Sequence, residues 1–174
     1  MKKFELTTES ITNEAGKKLF RIKALIDFGD VKAGELGGYV EKEGNVSQDD
    51  NAWVSGDAEV FGNAKVSDNA LVFGDARVSG DALISGNARV SGDAWVSDNA
   101  DYALVQGFGI KFRCTTFYRG KNKKIMVNCG CFHGDLEGFR KQVKKTRNGK
   151  IAKEYLMVAD LMEYHFVSED SGDE

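Results

Sequence analysis

Residues 52–99 read AWVSGD AEVFGN AKVSDN ALVFGD ARVSGD ALISGN ARVSGD AWVSDN, one six-residue phrase written eight times. Val54, Val60, Val66, Val72, Val78, Ile84, Val90 and Val96 recur at a spacing of six, and an alanine follows each of them four residues later, from Ala58 to Ala100. Ala58 and Val60 are two apart, so in an extended strand they share a face while Glu59 and Phe61 take the other. Each phrase then closes on Gly or Asp followed by Asp or Asn, residues that tolerate turn geometry and bond to their own backbone. No 3.6 periodicity survives turn residues every six positions, which excludes a helix.

Strands this short cannot stand alone. Identical phrases with the same inward pair predict coiling in one direction, three phrases to an eighteen-residue coil, with coils stacked as parallel sheets about 4.8 Å apart. Val54 is then expected beneath Val72, and Val72 beneath Val90. Burying each valine contributes roughly 1.5–3 kcal/mol, so the core is a column and alanine fills the narrow corner. Outward residues eighteen apart share a face. Trp53, Leu71 and Phe73 fall on one, Phe61 and Trp95 on another. Uncovered, the first group is an apolar patch of the kind that marks interfaces. Two readings stay open: a terminal segment folds over it, or subunits associate there as a trimer or dimer, with Trp53, Phe61, Leu71, Phe73 and Trp95 at the contact.

The flanking sequence divides the chain into a hairpin and lead-in loop (1–35), the repeat (36–102), a C-terminal unit (103–167) and an acidic tail (168–174) expected to be disordered. Residues 3–8 and 19–26 read as strands around the turn 13–16. A hairpin there would cover an open sheet edge, which otherwise invites aggregation. Val46 and Val54 lie eight apart, so two extra residues near Gln48 and Asp49 make a small bulge. After the repeat, residues 111–118 and 125–132 read as two strands. Asp135 is a fair N-cap for a helix through Lys145, and a second helix follows over 151–166. The expected fold is mainly β: a short parallel β-helix with an N-terminal hairpin cap and a C-terminal ββαα cap.

The repeat's period and V-x-x-x-A spacing resemble the hexapeptide repeats of left-handed parallel β-helices. Handedness rests on that resemblance, since ordinary crossover chirality favours the right-handed form. More of the chain resembles hexapeptide-repeat proteins of phages and prophages: KKFELT at the start, ALIDFGDVKAGELGGYVE over 24–41, NVSQDDNAWV over 45–54, TTFYR over 115–119, CGCFHGDLEGF over 129–139 and AKEYL over 152–156. The resemblance implies the left-handed fold and a phage origin, and it carries no settled activity.

Net charge is -3, but residues 103–153 hold thirteen Lys or Arg against Asp135 and Glu137. That segment is +11 and the rest of the chain -14. Such asymmetry favours an anionic partner for the basic part; the alternative is a solvated helix face balancing an acidic body. Thr115, Thr116, Tyr118 and Arg119 end one strand, and Arg140, Lys141 and Lys144 follow on the helix. Hydroxyls, an aromatic face and guanidinium groups suit a phosphate-bearing ligand, since arginine pairs with phosphate through two bonds and tyrosine can stack a base.

Catalytic chemistry has little to work with. Acyltransferases on left-handed β-helices use a histidine as general base, but the repeat has none; His133 and His165 are the two in the chain. Cys129, Cys131 and His133 alternate, with Cys114 on the partner strand, so a zinc site is a weak candidate beside plain core packing. No cofactor, no catalytic residue and no membrane span are expected, and three cysteines without a secretory signal suggest a reducing cytoplasm, that of a bacterial host. The functional expectation is a non-enzymatic, homo-oligomeric phage accessory protein that sequesters an anionic small molecule, such as a nucleotide immune signal, between subunits. The alternatives are an anti-CRISPR-like inhibitor of a host defence protein or nucleic acid, a hexapeptide acyltransferase, or a structural module without a ligand.

Overall fold

Each six-residue phrase folds into a two-residue strand and a corner. The computed structural model describes residues 1–109, 111 and 113–167; the acidic run 168–174 lies outside them. The N-terminal strands are β1 (Phe4–Thr12), β2 (Lys18–Ala24) and β3 (Leu36–Val40). The repeat supplies β4 (Trp53–Val54), β5 (Glu59–Val60), β6 (Lys65–Val66), β7 (Leu71–Val72), β8 (Arg77–Val78), β9 (Leu83–Ile84), β10 (Arg89–Val90) and β11 (Trp95–Val96). After it come β12 (Tyr102–Phe108), β13 (Arg113–Arg119), β14 (Ile125–Cys129) and β15 (Phe132–Asp135), then α1 (Leu136–Thr146) and α2 (Gly149–Val167). The chain divides into two compact units, residues 1–99 and 100–174.

In the first unit the strands stack in parallel with the expected register. Val54 pairs with Val72 and Val72 with Val90; Val60 pairs with Val78 and Val78 with Val96; Val66 pairs with Ile84. Between coils the backbone bonds run in sequence, as from Trp53 N to Ala70 O (3.0 Å) and from Ser55 N to Val72 O (2.9 Å). Every inward valine and isoleucine of the repeat is fully buried, and the inward alanines nearly so. This is a short parallel β-helix of about three turns. At the corners polar side chains continue the ladder: Asn51 Nδ2 donates to Asn69 Oδ1 (2.8 Å) and Asn63 Nδ2 to Asp81 Oδ1 (3.0 Å).

The two-residue insertion is where expected, because Val40 pairs with Val60 and Val46 with Val66, both twenty residues on. Its loop clasps the start of the chain. Gln48 Oε1 accepts from the backbone N–H of Lys3 (2.8 Å) and Phe4 (3.2 Å). The Lys3 ammonium donates to the carbonyls of Asp49 (3.1 Å), Asp50 (3.4 Å) and Ala52 (2.9 Å). Burial pushes the Lys3 pKa down to about 8, with Asp50 and Asp49 pulling it partly back.

The hairpin extends one sheet, in the order β1-β2-β3-β5-β8-β11. It can do so because Gly37 and Gly38 are bare. A Cβ on Gly38 would meet Ala58 O at 2.6 Å and Val54 Cγ1 at 2.8 Å; one on Gly37 would meet Ile22 and the Trp53 ring. Trp53 is consequently buried, at 3% exposure, with the Phe28 and Phe4 rings edge-on at 5.3 and 6.2 Å. The hairpin turn docks lower on the same sheet. Glu14 pairs with Arg77 (2.6 Å) and Asn13 Nδ2 donates to Glu59 (3.1 Å).

The second unit is an antiparallel meander, β12-β13-β14-β15, with both helices against one face. It departs from the expected ββαα unit in having four strands. Residues ahead of the first expected strand form β12. The expected strand over 125–132 breaks at Gly130, whose φ of +62° turns the chain so that Cys129 pairs with Phe132 across a two-residue loop. Glycine first in such a loop matches the twist of a hairpin. Asp135 caps α1 as expected, its Oδ1 accepting from Gly138 N (2.8 Å). Among the described residues no helix is long and apolar enough to cross a membrane.

Gly38→Ala should destabilise the first unit by roughly 1–3 kcal/mol, the usual cost of overpacking. Gly44→Ala, where a Cβ meets nothing within 4 Å, should stay within about 0.5 kcal/mol. Urea unfolding measures both. For Lys3 the folded pKa lies below the unfolded one, so the unfolded chain holds more protons between pH 8 and 10.5 and this contribution to stability rises with pH there. Wild type should therefore gain on Lys3→Met across that window in matched urea midpoints.

Candidate functional site

Phe139 is the hub of the second unit. On α1 it meets Phe117 of β13 and Tyr155 of α2 edge-on, both with ring centroids 5.9 Å away, and Phe132 of β15 at 5.6 Å. Val127, Leu136, Val143, Val158, Ala159, Met162 and Phe166 complete the core. The apolar spacing of both helices produces this face.

The residues expected to bind an anion fall at different places in this unit. β13 is an inner strand of the sheet, paired with β12 and β14. Thr115, Thr116 and Tyr118 on it are 3%, 1% and 0% exposed, so these side chains are withdrawn from any ligand. Thr115 Oγ1 donates to Cys129 Sγ (3.1 Å). Arg119 is a tie between elements: its Nε lies 3.0 Å from Asp101 Oδ1, its Nη2 donates to Phe166 O (2.7 Å), and its guanidinium covers the Phe166 ring at 5.5 Å. Arg140 joins α1 to α2 through Asp160 (2.7 Å) and Glu163 (2.8 Å). Lys141 pairs with Glu137 one turn away (2.6 Å) in the open, and Lys144 is exposed.

The structure does bring Arg119 and Arg140 to one cleft, of about 550 Å³, with Lys123 and Lys124. Asp135, Glu137 and Glu163 line it too, so its positive charge is offset from within.

A second cleft, of about 390 Å³, is different in kind. Lys111 and Arg113 enter it from the start of β13, Gln142, Thr146 and Arg147 from α1 and its end. Its apolar wall is Phe132, Phe139, Val143 and Tyr155, with the thiols of Cys129 and Cys131 between. Among the described residues, three cations and no carboxylate line it. Gly130 makes room here, since a Cβ there would collide with the Arg113 guanidinium. The Tyr155 hydroxyl donates to Phe108 O (3.3 Å), and its pKa is raised by burial and then by Cys129, while Arg147 and Arg113 pull the other way. The phenol is therefore a neutral donor beside two guanidiniums.

Sequence reasoning counted Lys111, Arg113 and Arg147 in the basic segment but did not gather them. The available signal was the i+3, i+4 and i+7 relation of Gln142, Val143 and Thr146 to Phe139, which lays them along one side of α1.

The zinc arrangement does not form. The turn at Gly130 takes Cys131 off the strand and sends His133 back opposite Asn128, so Cys129, Cys131 and His133 no longer alternate along one strand. Alternation along β13 puts Cys114 on the opposite face from Thr115. Among the described residues no group of three or more His, Cys, Asp or Glu could hold a metal ion, and all three cysteines are free thiols. The expected apolar contact face of the repeat is also altered. Phe4 and Phe28 cover Trp53; Phe61, Leu71 and Phe73 are half-buried; Trp95 remains exposed beneath the Arg77 guanidinium, 5.9 Å from its ring centre.

Residues 64–80 and 82–98 each match the family model described as YdcK beta solenoid repeat. The match supports a β-helix repeat protein and covers only the coils. A comparison with curated proteins found no match.

Arg119→Ala should lower stability by roughly 1.5–3 kcal/mol, the range for hydrogen bonds to charged groups. Lys144→Ala should change it by less than about 0.5 kcal/mol. An Arg119→Ala protein with an unaltered denaturant midpoint would show that the tie to Asp101 and Phe166 carries no weight.

Proposed function

We propose that this chain is a non-enzymatic phage accessory protein that acts against host defence by sequestering an anionic small molecule. A nucleotide signal is the ligand class we favour. One observation carries the reading: the 390 Å³ cleft lined by Lys111, Arg113 and Arg147 and, among the described residues, by no carboxylate. Pockets for small molecules are largely apolar with a few converging polar groups, and this one adds charge of a single sign. Phosphate oxygens would pair with Arg113 and Arg147, bonds that are charge-assisted and directional. A base would lie along Phe132 and Tyr155, with the Gln142 amide within the same lining to meet its edge. Capture lowers the free signal by mass action, so the task needs binding and no chemical step.

The segment charge of +11 favours a second reading, an inhibitor that binds nucleic acid or an acidic host protein. The two differ in salt response. Polyanion binding weakens steeply with salt through counterion release, whereas a single nucleotide in a partly apolar cleft should be less sensitive.

Calorimetry with cyclic oligonucleotides and ADP-ribose-derived signals tests the proposal. At least one should bind at micromolar protein, and Arg113→Ala combined with Arg147→Ala should weaken it by about 100-fold or more, given roughly 1.5–3 kcal/mol for each charged hydrogen bond. Silence with every signal tested would overturn the reading. Tight, strongly salt-dependent binding to DNA or RNA would move it to the second.

A further inference from the structure

α2 has two apolar faces, and among the described residues only one is packed. Tyr155, Val158, Ala159, Met162 and Phe166 face the core. Met157, Leu161 and Tyr164, spaced i, i+4, i+7 on another side of the helix, are 61%, 58% and 74% exposed. They are among the most exposed large apolar side chains of the described residues. At this spacing the three form one stripe. Its area is on the order of a few hundred Å², the size at which an apolar patch marks an interaction site.

We propose that this stripe is a homodimer contact in which α2 of one copy packs antiparallel against α2 of a second. The stripe is nearly symmetric about its middle residue, with Met157 one turn before Leu161 and Tyr164 one turn after. A two-fold axis through Leu161 sets that side chain against its own copy and lays each Met157 on the other copy's Tyr164, a favourable sulfur–aromatic pairing. A two-fold contact requires this kind of self-complementary surface.

Charge points the same way. The first half of α2 carries Lys150, Lys153 and Glu154, the last paired with Lys150 (3.6 Å), for a net charge of +1; the second half carries Asp160 and Glu163, which remain exposed although they hold Arg140. Antiparallel packing runs the basic half of one helix beside the acidic half of the other and opposes the two helix dipoles. A parallel pair would set like charges together. The stripe supplies about half of the roughly 800 Å² per partner of a standard interface, so the expected dimer is a reversible one in the micromolar range. The proposal is independent of what the cleft binds, and it places self-association on a helix and not on the repeat.

Sedimentation velocity on the full chain over a concentration series tests it. Wild type should pass from monomer to dimer. Leu161→Glu should raise the dimer Kd by on the order of 100-fold, as for a central contact residue, while leaving the melting temperature and circular dichroism unchanged because the residue is exposed. Leu83→Glu, an exposed apolar position on the repeat, should leave the dimer intact. A Leu161→Cys chain should cross-link to a reducible dimer under mild oxidation. A wild type that stays monomeric to about 1 mM, or that forms a trimer, overturns the proposal. So does a dimer that survives Leu161→Glu.

Discussion

A two-residue strand has no stability of its own, and every structural feature of the first unit answers that fact. Each phrase must be hydrogen-bonded by the phrase eighteen residues away, and the inward side chains must match because they stack directly. This is why the repeat holds valine or isoleucine at one inward position and alanine at the other. The same dependence makes the ends costly, since a terminal coil lacks one neighbour. At the N-terminal end the answer is a change of direction. Gly37 and Gly38 let β3 lie against the first coil, and an antiparallel hairpin then continues a sheet that is otherwise parallel.

The second unit answers a different constraint. A four-stranded meander with two helices on one face must bury Phe139 and its neighbours, and the polar residues at the rim are then sorted by what lies within reach. Arg119 and Arg140 find carboxylates or a carbonyl and become structural ties. Lys111, Arg113 and Arg147 sit where the described residues of the lining supply no carboxylate. Charge left unbalanced beside an aromatic wall is the feature that sets this cleft apart from its larger neighbour, in which Asp135, Glu137 and Glu163 offset the cations.

How far the sequence could be read follows from the range of each interaction. Coil register, the insertion and the Asp135 cap are written in spacing and residue type, so they were legible. The split of 125–132 into β14 and β15 was not, because the glycine that breaks it sits between two cysteines whose alternation reads as one continuous strand. The expected anion site failed for a related reason. Strand residues such as Thr115, Thr116 and Tyr118 alternate in sequence, but whether both faces are buried depends on tertiary packing. Trp53 looked like a contact residue because Phe4 and Phe28, which cover it, lie 49 and 25 residues earlier in the chain.

The repeat therefore has two tolerances for length change. Its interior recognises a quantum of six residues: gaining or losing one phrase would return valine and alanine to equivalent inward positions. Its exterior recognises eighteen. A single added phrase ahead of Arg89 would carry that side chain from the face of Trp53 and Leu71 to the face of Glu59 and Arg77. Recombination among near-identical phrases would thus be almost silent to the core while permuting the outer surface, so selection on length acts through the outward columns.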